Sequence, residues 1–138
     1  MAIAPYLADT SATARLRRSE VAHVLGPLIE RGLVATCGIL ELELTFAARA
    51  GDVPDMRQRR SGLEWLDTAD EDFRVAMQTQ AELADRGHHR AAALPDLLVA
   101  AVALRHRVTV MHYDGDFDLI AEVTGQPTQW VVPRGSVT

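Results

Sequence analysis

The feature that most limits the folds open to this chain is its alternation of short strand-like runs with longer stretches of helical periodicity. Runs at positions 6–8, 33–36, 66–68, 107–111 and 128–132 are too short for helices and are bounded by turn or capping residues. The stretches between them repeat apolar side chains at helical spacing. The resulting order, β-α-β-α-α-β-α-α-β-α-β, predicts an α/β protein: a three-layer α/β/α sandwich around a mainly parallel central sheet. A length of 138 residues fits one domain, 1–138, able to bury a real core.

The first strand carries Tyr6, Leu7 and Ala8 and stops at Asp9, with Thr10 and Ser11 placed to start a helix. Ligands of open α/β sheets gather beyond the carboxyl ends of the strands. Asp9 is therefore either a site acid or only a helix cap. Residues 12–31 read as helix with a break near Arg18 and Ser19. Ser19 suits a second N-cap, and Val21, Val24, Leu25, Leu28 and Ile29 form the apolar stripe. Pro27 argues against a smooth helix, and Gly32 fits the position just past its end.

Residues 38–50 read as the next helix. At roughly 100° per residue, Glu43 shares a face with Ile39, Leu40, Phe46, Ala47 and Ala50, and Glu41 points the other way. Glu43 is thus directed at the core, where an acid needs an arginine or a metal, and Glu41 at solvent. Residues 53–66 predict an amphipathic helix opened by Pro54, with Arg57, Arg59 and Arg60 on a solvated face or a partner surface. A short edge strand at 66–68 and a helix over 70–86 follow. His88 and His89 lie in a loop, lack the spacing of a helical metal pair and read as surface histidines.

Pro95 opens a helix apolar enough to be buried on most sides, with Asp96 in its first turn. Asp96 is either favoured there by the helix dipole or an acid delivered to a central site. The strand over 107–111 runs into His112-Tyr113-Asp114-Gly115-Asp116-Phe117, where Gly115 permits a tight turn. A helix over 118–123 and the strand over 128–132 complete the chain. Acids from two strand ends, an inward helix position and a buried helix start would repel one another if gathered, unless divalent cations hold them. Hard oxygen ligands select Mg²⁺ or Mn²⁺ over zinc, and the chemistry such a site supports is phosphodiester hydrolysis.

The net charge of −5 gives no basic nucleic-acid groove, although bound cations reverse the local field of an acidic site. All fourteen basic residues are arginine. Cys37, the single cysteine, reads as a small buried packing residue, and the lack of a disulfide fits a reducing cytoplasm. Neither a secretory leader nor a run of membrane-spanning length is visible, so no membrane partner is expected.

Four pieces, in order along nearly the whole chain, carry a family resemblance: Leu7-Ala8-Asp9-Thr10-Ser11-Ala12, Leu42-Glu43-Leu44-Thr45-Phe46-Ala47-Ala48-Arg49, Pro95-Asp96-Leu97-Leu98-Val99-Ala100-Ala101 and His112-Tyr113-Asp114-Gly115-Asp116-Phe117. The chain resembles the PIN-domain ribonucleases, specifically the VapC-like toxins of bacterial toxin–antitoxin modules, and its tail from Trp130 to Ser136 is similar to mycobacterial members. The resemblance implies that Asp9, Glu43, Asp96 and Asp114 are the central catalytic acids. It implies that Asp9, Asp96, Asp114 and Asp116 hold metal, with the hydroxyls of Thr10 or Ser11 supporting them from behind. It further implies Mg²⁺-dependent cleavage of RNA, often tRNA or ribosomal RNA, a homodimer, and inhibition by a VapB-like antitoxin. His112 departs from the Thr or Ser common there. Arg15 and Arg134, with Arg17 and Arg18, are candidates for contact with RNA phosphate, against a reading as ordinary surface arginines. A dehalogenase-type phosphatase and a receiver-like module are the rivals. Both need a lysine near the site, which this chain lacks, and the first needs an acid where Ser11 stands. A PIN-like module kept only for binding is a third alternative.

Overall fold

Five short strands lie side by side in the order β3-β2-β1-β4-β5, all parallel: β1 (Tyr6–Ala8), β2 (Val34–Cys37), β3 (Glu64–Leu66), β4 (Thr109–His112) and β5 (Thr128–Trp130). The computed structural model describes residues 2–138. The central strand β1 pairs with β2 on one side, Leu7 opposite Ala35, and with β4 on the other, Leu7 opposite Val110. The sheet is built outward from β1 in one direction first, to β2 and β3, and then in the other. The reversal leaves a crevice between the ends of β1 and β4, the place where doubly wound sheets bind ligands.

Side chains alternate across the sheet and split the interior into two cores. Leu7, Ala35, Cys37 and Val110 pack with Leu40, Leu97, Val99, Phe117 and Ile120 on one face. Ala8, Val34 and Met111 pack with Ala12, Val21, Leu25 and Val131 on the other. The period of two therefore sends neighbouring residues of each strand into different layers, which makes the sandwich three layers thick. Cys37 is buried, as expected.

Seven helices join the strands: α1 (Thr10–Thr13), α2 (Ser19–Glu30), α3 (Gly38–Ala47), α4 (Val53–Arg60), α5 (Asp70–Asp85), α6 (Leu94–His106) and α7 (Asp116–Thr124). The break expected near Arg18 is real and divides the first helical stretch into α1 and α2. Ser19 is not the cap: it is the first helical residue, and Arg18 precedes it without a side-chain cap. Pro27 does not interrupt α2. The carbonyl it leaves unbonded belongs to His23, and both positions are exposed, so water satisfies it. Gly32 ends the helix at φ 72°, with the Leu33 N–H returning to the Leu28 carbonyl.

Other boundaries move by one to three residues for local reasons. The helix of 38–50 ends at Ala47, because Ala48 is extended. The helix expected over 53–66 stops at Arg60, and residues 64–66 become the edge strand. The strand expected from 107 begins at Thr109, because Arg107 caps α6 in the left-handed region at φ 59° and the Val108 N–H bonds the Ala103 carbonyl. α6 is buried along most of its length: Leu97 and the run from Val99 to Ala103 are all interior. Its four alanines let it lie close to the sheet and to α5. No helix among the described residues is long and apolar enough to cross a membrane.

Candidate active site

The crevice at the ends of β1 and β4 gathers carboxylates. Asp9 stands directly after β1, and its N–H bonds the Met111 carbonyl at 2.9 Å, so the end of β1 is locked to β4. Its side chain is 1% exposed and caps α1: one carboxylate oxygen accepts the Ser11 N–H at 3.0 Å. The other, Oδ1, is buried with no hydrogen-bond partner among the described residues. Cap and site acid, the two readings open for Asp9, are both embodied in one carboxylate. Burial pushes its pKa up against the Ser11 hydrogen bonds, and the charge of Asp114 adds to the rise.

Asp96 enters from the first turn of α6, is 7% exposed, and lies with Asp114 and Asp116 so that one oxygen from each falls within 4.8 Å of the others. Its carboxyl is pushed up to about 8, first by burial and then by the charges of Asp9, Asp114 and Asp116. Asp114 follows β4 and accepts the Asp116 N–H at 2.9 Å, while Asp116 accepts the Ala93 N–H at 3.3 Å. These bonds fix the turn on which both acids ride. Glu43 faces this group across Thr10, whose hydroxyl donates to it at 3.5 Å. Burial, then the neighbouring Asp9 charge, raises its pKa.

The structure thus brings Asp96, Asp114 and Asp116 into one metal-sized cluster and sets Asp9 and Glu43 along its side. Asp9 does not join the group of three. The donors are all hard carboxylate oxygens, one nearby buried oxygen is orphaned, and like charges hold each other's pKa up. Such a set fits a hard divalent cation. Of the two hydroxyls, that of Ser11 accepts the Tyr113 N–H at 2.9 Å and so ties α1 to the end of β4, whereas that of Thr10 reaches Glu43.

Three expectations are corrected. Glu43 makes no ion pair with an arginine among the described residues, and its face is not a core face, because Phe46 is 94% exposed. Glu41 is not solvated: Arg60 holds it at 2.8 Å and the Thr36 hydroxyl at 2.5 Å. The helix sits at the rim of the sheet, so its apolar stripe turns outward once it passes the strand ends. Gly115 has φ −62°, a conformation open to any residue, so backbone freedom does not explain it. What sequence reasoning missed altogether is His112, fully buried between Phe117 and Trp130. Strand alternation could have found it, because a residue next to Met111 must face the other core.

The four candidate arginines differ. Arg15 is committed locally: it donates to the Ser11 carbonyl at 2.6 Å and lies over the Tyr113 ring. Arg18 reaches the Thr138 hydroxyl, and Arg17 is exposed. Arg134 lies over the Trp130 ring.

A parallel sheet that reverses at β1, with an acid at that strand's end and a cluster of three more acids beside it, defines a metal-nuclease class of α/β protein. The chain belongs to the PIN domain family, which it matches over residues 6–123. It is 46% identical to Ribonuclease VapC21 of Mycobacterium tuberculosis over 135 residues, which cover 95% of this chain and 96% of that one. It is 41% identical to Ribonuclease VapC51 of the same species, with 96% of each chain covered. Among solved structures, VapBC2 from Rickettsia felis, bound to a DNA fragment from its promoter, shares the fold at a TM-score of 0.69 and 17% identity. That match covers 91% of this chain and 98% of the other.

Proposed function

We propose that this chain is a Mg²⁺-dependent endoribonuclease, the toxin of a VapBC-type module, with structured RNA such as tRNA or ribosomal RNA as its substrate. The observation that carries the reading is the cluster of Asp96, Asp114 and Asp116 at the strand ends, with Asp9 and Glu43 beside it. Its relatives at 46% and 41% identity are named ribonucleases. Asp96, Asp114 and Asp116 would hold the cation, and Asp9 would add charge from the side. When bound, Mg²⁺ supplies Lewis-acid charge for phosphodiester hydrolysis, and Mn²⁺ would substitute.

The chain's own residues perform the rest. Hydrolysis joins the oxygen of water to phosphorus, breaks the bond to the leaving ribose oxygen and moves one proton from the first oxygen to the second. Glu43, half-buried and held by Thr10, is placed to take and return that proton. Asp9 is anchored by backbone bonds on both sides, so its orphaned oxygen is aimed into the crevice without further ordering.

Partners are read from the surface. Leu42, Phe46, Trp65, Met77 and Leu94 expose large apolar area on elements around the crevice, more than scattered surface residues account for. A VapB-like antitoxin and a second copy of the chain are the partners proposed to cover it, in keeping with the toxin–antitoxin complexes that share the fold.

Cleavage of total cellular RNA by purified protein tests the reading, with Mg²⁺ or Mn²⁺ against EDTA and the native chain beside Asp9→Ala. Discrete fragments that require both metal and Asp9 are expected, and mapping their ends gives the target. Cleavage that survives EDTA, or survives in Asp9→Ala, overturns it.

A further inference from the structure

The geometry points to Arg134 as a prepositioned phosphate clamp of the acidic crevice, binding the RNA backbone beside the bond that is cut. The inference rests on the ribonuclease reading for the nature of the ligand, but its observations are independent of the acids.

Gly115 separates Asp114 from Asp116, and its backbone conformation is ordinary. What it lacks is a side chain: a Cβ there would lie 3.3 Å from Nη2 of Arg134 and 3.4 Å from Nη1. The guanidinium is laid against the bare backbone between two of the acids that form the cluster, with its carbon 5.4 Å from the centre of the Trp130 ring. Glycine is needed at 115 for the room it leaves.

The segment that carries Arg134 is pinned at both ends. Val131 and Val132 are buried before it. Residues 133–136 turn back on themselves, the Ser136 N–H bonding the Pro133 carbonyl at 3.1 Å with Gly135 at φ 80°. The Tyr113 hydroxyl then donates to the Val137 carbonyl at 2.9 Å and accepts the Val137 N–H. A side chain mounted on a fixed turn and stacked on an indole loses less freedom on binding than a free surface arginine. Trp130 is itself held, its indole N–H donating to Asp118.

Arg134 nonetheless makes no ion pair or side-chain hydrogen bond among the described residues, although Asp114 and Asp116 flank the glycine it covers. Its planar fork of donors is left for a ligand of the right shape, and phosphate takes that fork in pairs. Other arginines are already engaged: Arg60 by Glu41, Arg105 by Asp72, Arg15 by the Ser11 carbonyl. In a chain of net charge −5, an anionic strand entering this crevice needs a cation besides any bound metal.

The test compares the native chain with Arg134→Gln, Arg134→Lys and, as a remote control, the exposed Arg59→Gln. Cleavage of cellular RNA gives KM and kcat. Binding of a fluorescent single-stranded RNA of mixed sequence is followed by anisotropy over a salt series, on an Asp9→Asn background. Arg134→Gln is expected to raise KM and weaken binding by roughly five- to tenfold, with kcat and melting temperature little changed. The slope of log affinity against log salt should fall by about 0.7, the share of one phosphate contact on a single strand. Arg134→Lys should fall between, and Arg59→Gln should match the parent. Cleavage with unchanged KM and salt slope in Arg134→Gln overturns the clamp and leaves the ribonuclease reading standing. Arg134-dependent binding with no cleavage by the native chain does the reverse. A parent protein that binds no RNA overturns the clamp as well.

Discussion

His112 holds Asp114 by its backbone: Nδ1 of the buried imidazole accepts the Asp114 N–H at 3.2 Å. An acceptor at Nδ1 leaves the proton on Nε2, so the ring is neutral, and burial keeps its pKa low in the same sense. The ring is wedged between Phe117 and Trp130, 5.0 Å from each. It fixes the first residue of the acidic turn without touching a carboxylate.

His112→Asn offers an oxygen near the place of Nδ1, and His112→Phe keeps the packing but no acceptor. The Phe variant is expected to need roughly fivefold more Mg²⁺ or Mn²⁺ for half-maximal binding, the effect of about 1 kcal/mol. The Asn variant should need less of an increase, even though it packs worse. Calorimetric titration with metal alone measures both. Equal metal affinity in the Phe variant and the native chain would remove His112 from this role.

Asp96 makes the metal-free protein sensitive to alkali. Its carboxyl sits near 8 in the folded chain against 3.8 unfolded, so the folded state keeps a proton the unfolded state has released. The associated stability is full below about pH 4 and is lost as pH rises through about 8. Asp96→Asn should flatten that decline and stabilise the metal-free protein at the upper end by on the order of 1–3 kcal/mol. Urea denaturation in EDTA across this window measures it, and a slope unchanged by Asp96→Asn would contradict the assignment.

Metal should reverse that penalty. A cation bound only by the folded chain adds about 2.7 kcal/mol at a hundredfold excess over its dissociation constant. Thermal unfolding with and without Mn²⁺ should show an upward shift in the native chain and almost none in Asp114→Asn. An equal shift in both would place the cation elsewhere.

Far from the crevice, Arg105 secures α6 to α5. Its guanidinium grips the fully buried carboxylate of Asp72 at 2.9 and 3.0 Å and donates to the Asp67 carbonyl at 2.7 Å. Burial works against the charge of Asp72, but the Arg105 bonds prevail and its pKa is lowered. That stability is present above 3.8 and is lost as pH falls through the lowered value. Arg105→Met should cost about 3 kcal/mol by leaving a buried charge unpaired. Adding Asp72→Asn should restore part of that loss, because the amide oxygen still accepts the Ala69 N–H that Asp72 bonds at 2.8 Å. Chemical denaturation of the three variants decides it; a double variant no better than Arg105→Met would contradict the account.

The layered fold was legible because short strands and longer helices differ in period, and because helix ends such as Gly32 and Pro95 carry their signals locally. The acids at the ends of β1 and β4 were legible for the same reason, since a strand that stops at Asp9 or before Asp114 announces its end. Harder to read was anything set by packing between distant segments. Nothing near Glu41 shows that Arg60 will reach it, and nothing near Gly115 shows that Arg134 will lie on it. Helical geometry placed Glu43 and Phe46 on one face correctly, but whether that face meets a core or open solvent depends on where the sheet ends. Strand positions at 66–68 and 107 missed by two residues because the left-handed cap at Arg107 and the early stop of α4 are tertiary outcomes.

The bond from the Asp9 N–H to the Met111 carbonyl has a consequence for the order of synthesis. It joins the ninth residue to a strand made more than a hundred residues later. A nascent chain that has not yet released β4 holds Asp9 and Glu43 but lacks the turn of Asp114 and Asp116 and the segment bearing Arg134. A centre closed by such distant contacts forms late, because the long loop must be ordered before the pairing rewards it. While β1 waits for β4, the crevice has only one wall. The chain is thereby kept harmless to the ribosome that makes it until nearly all of it has emerged, and truncated products carry no risk to the cell's RNA.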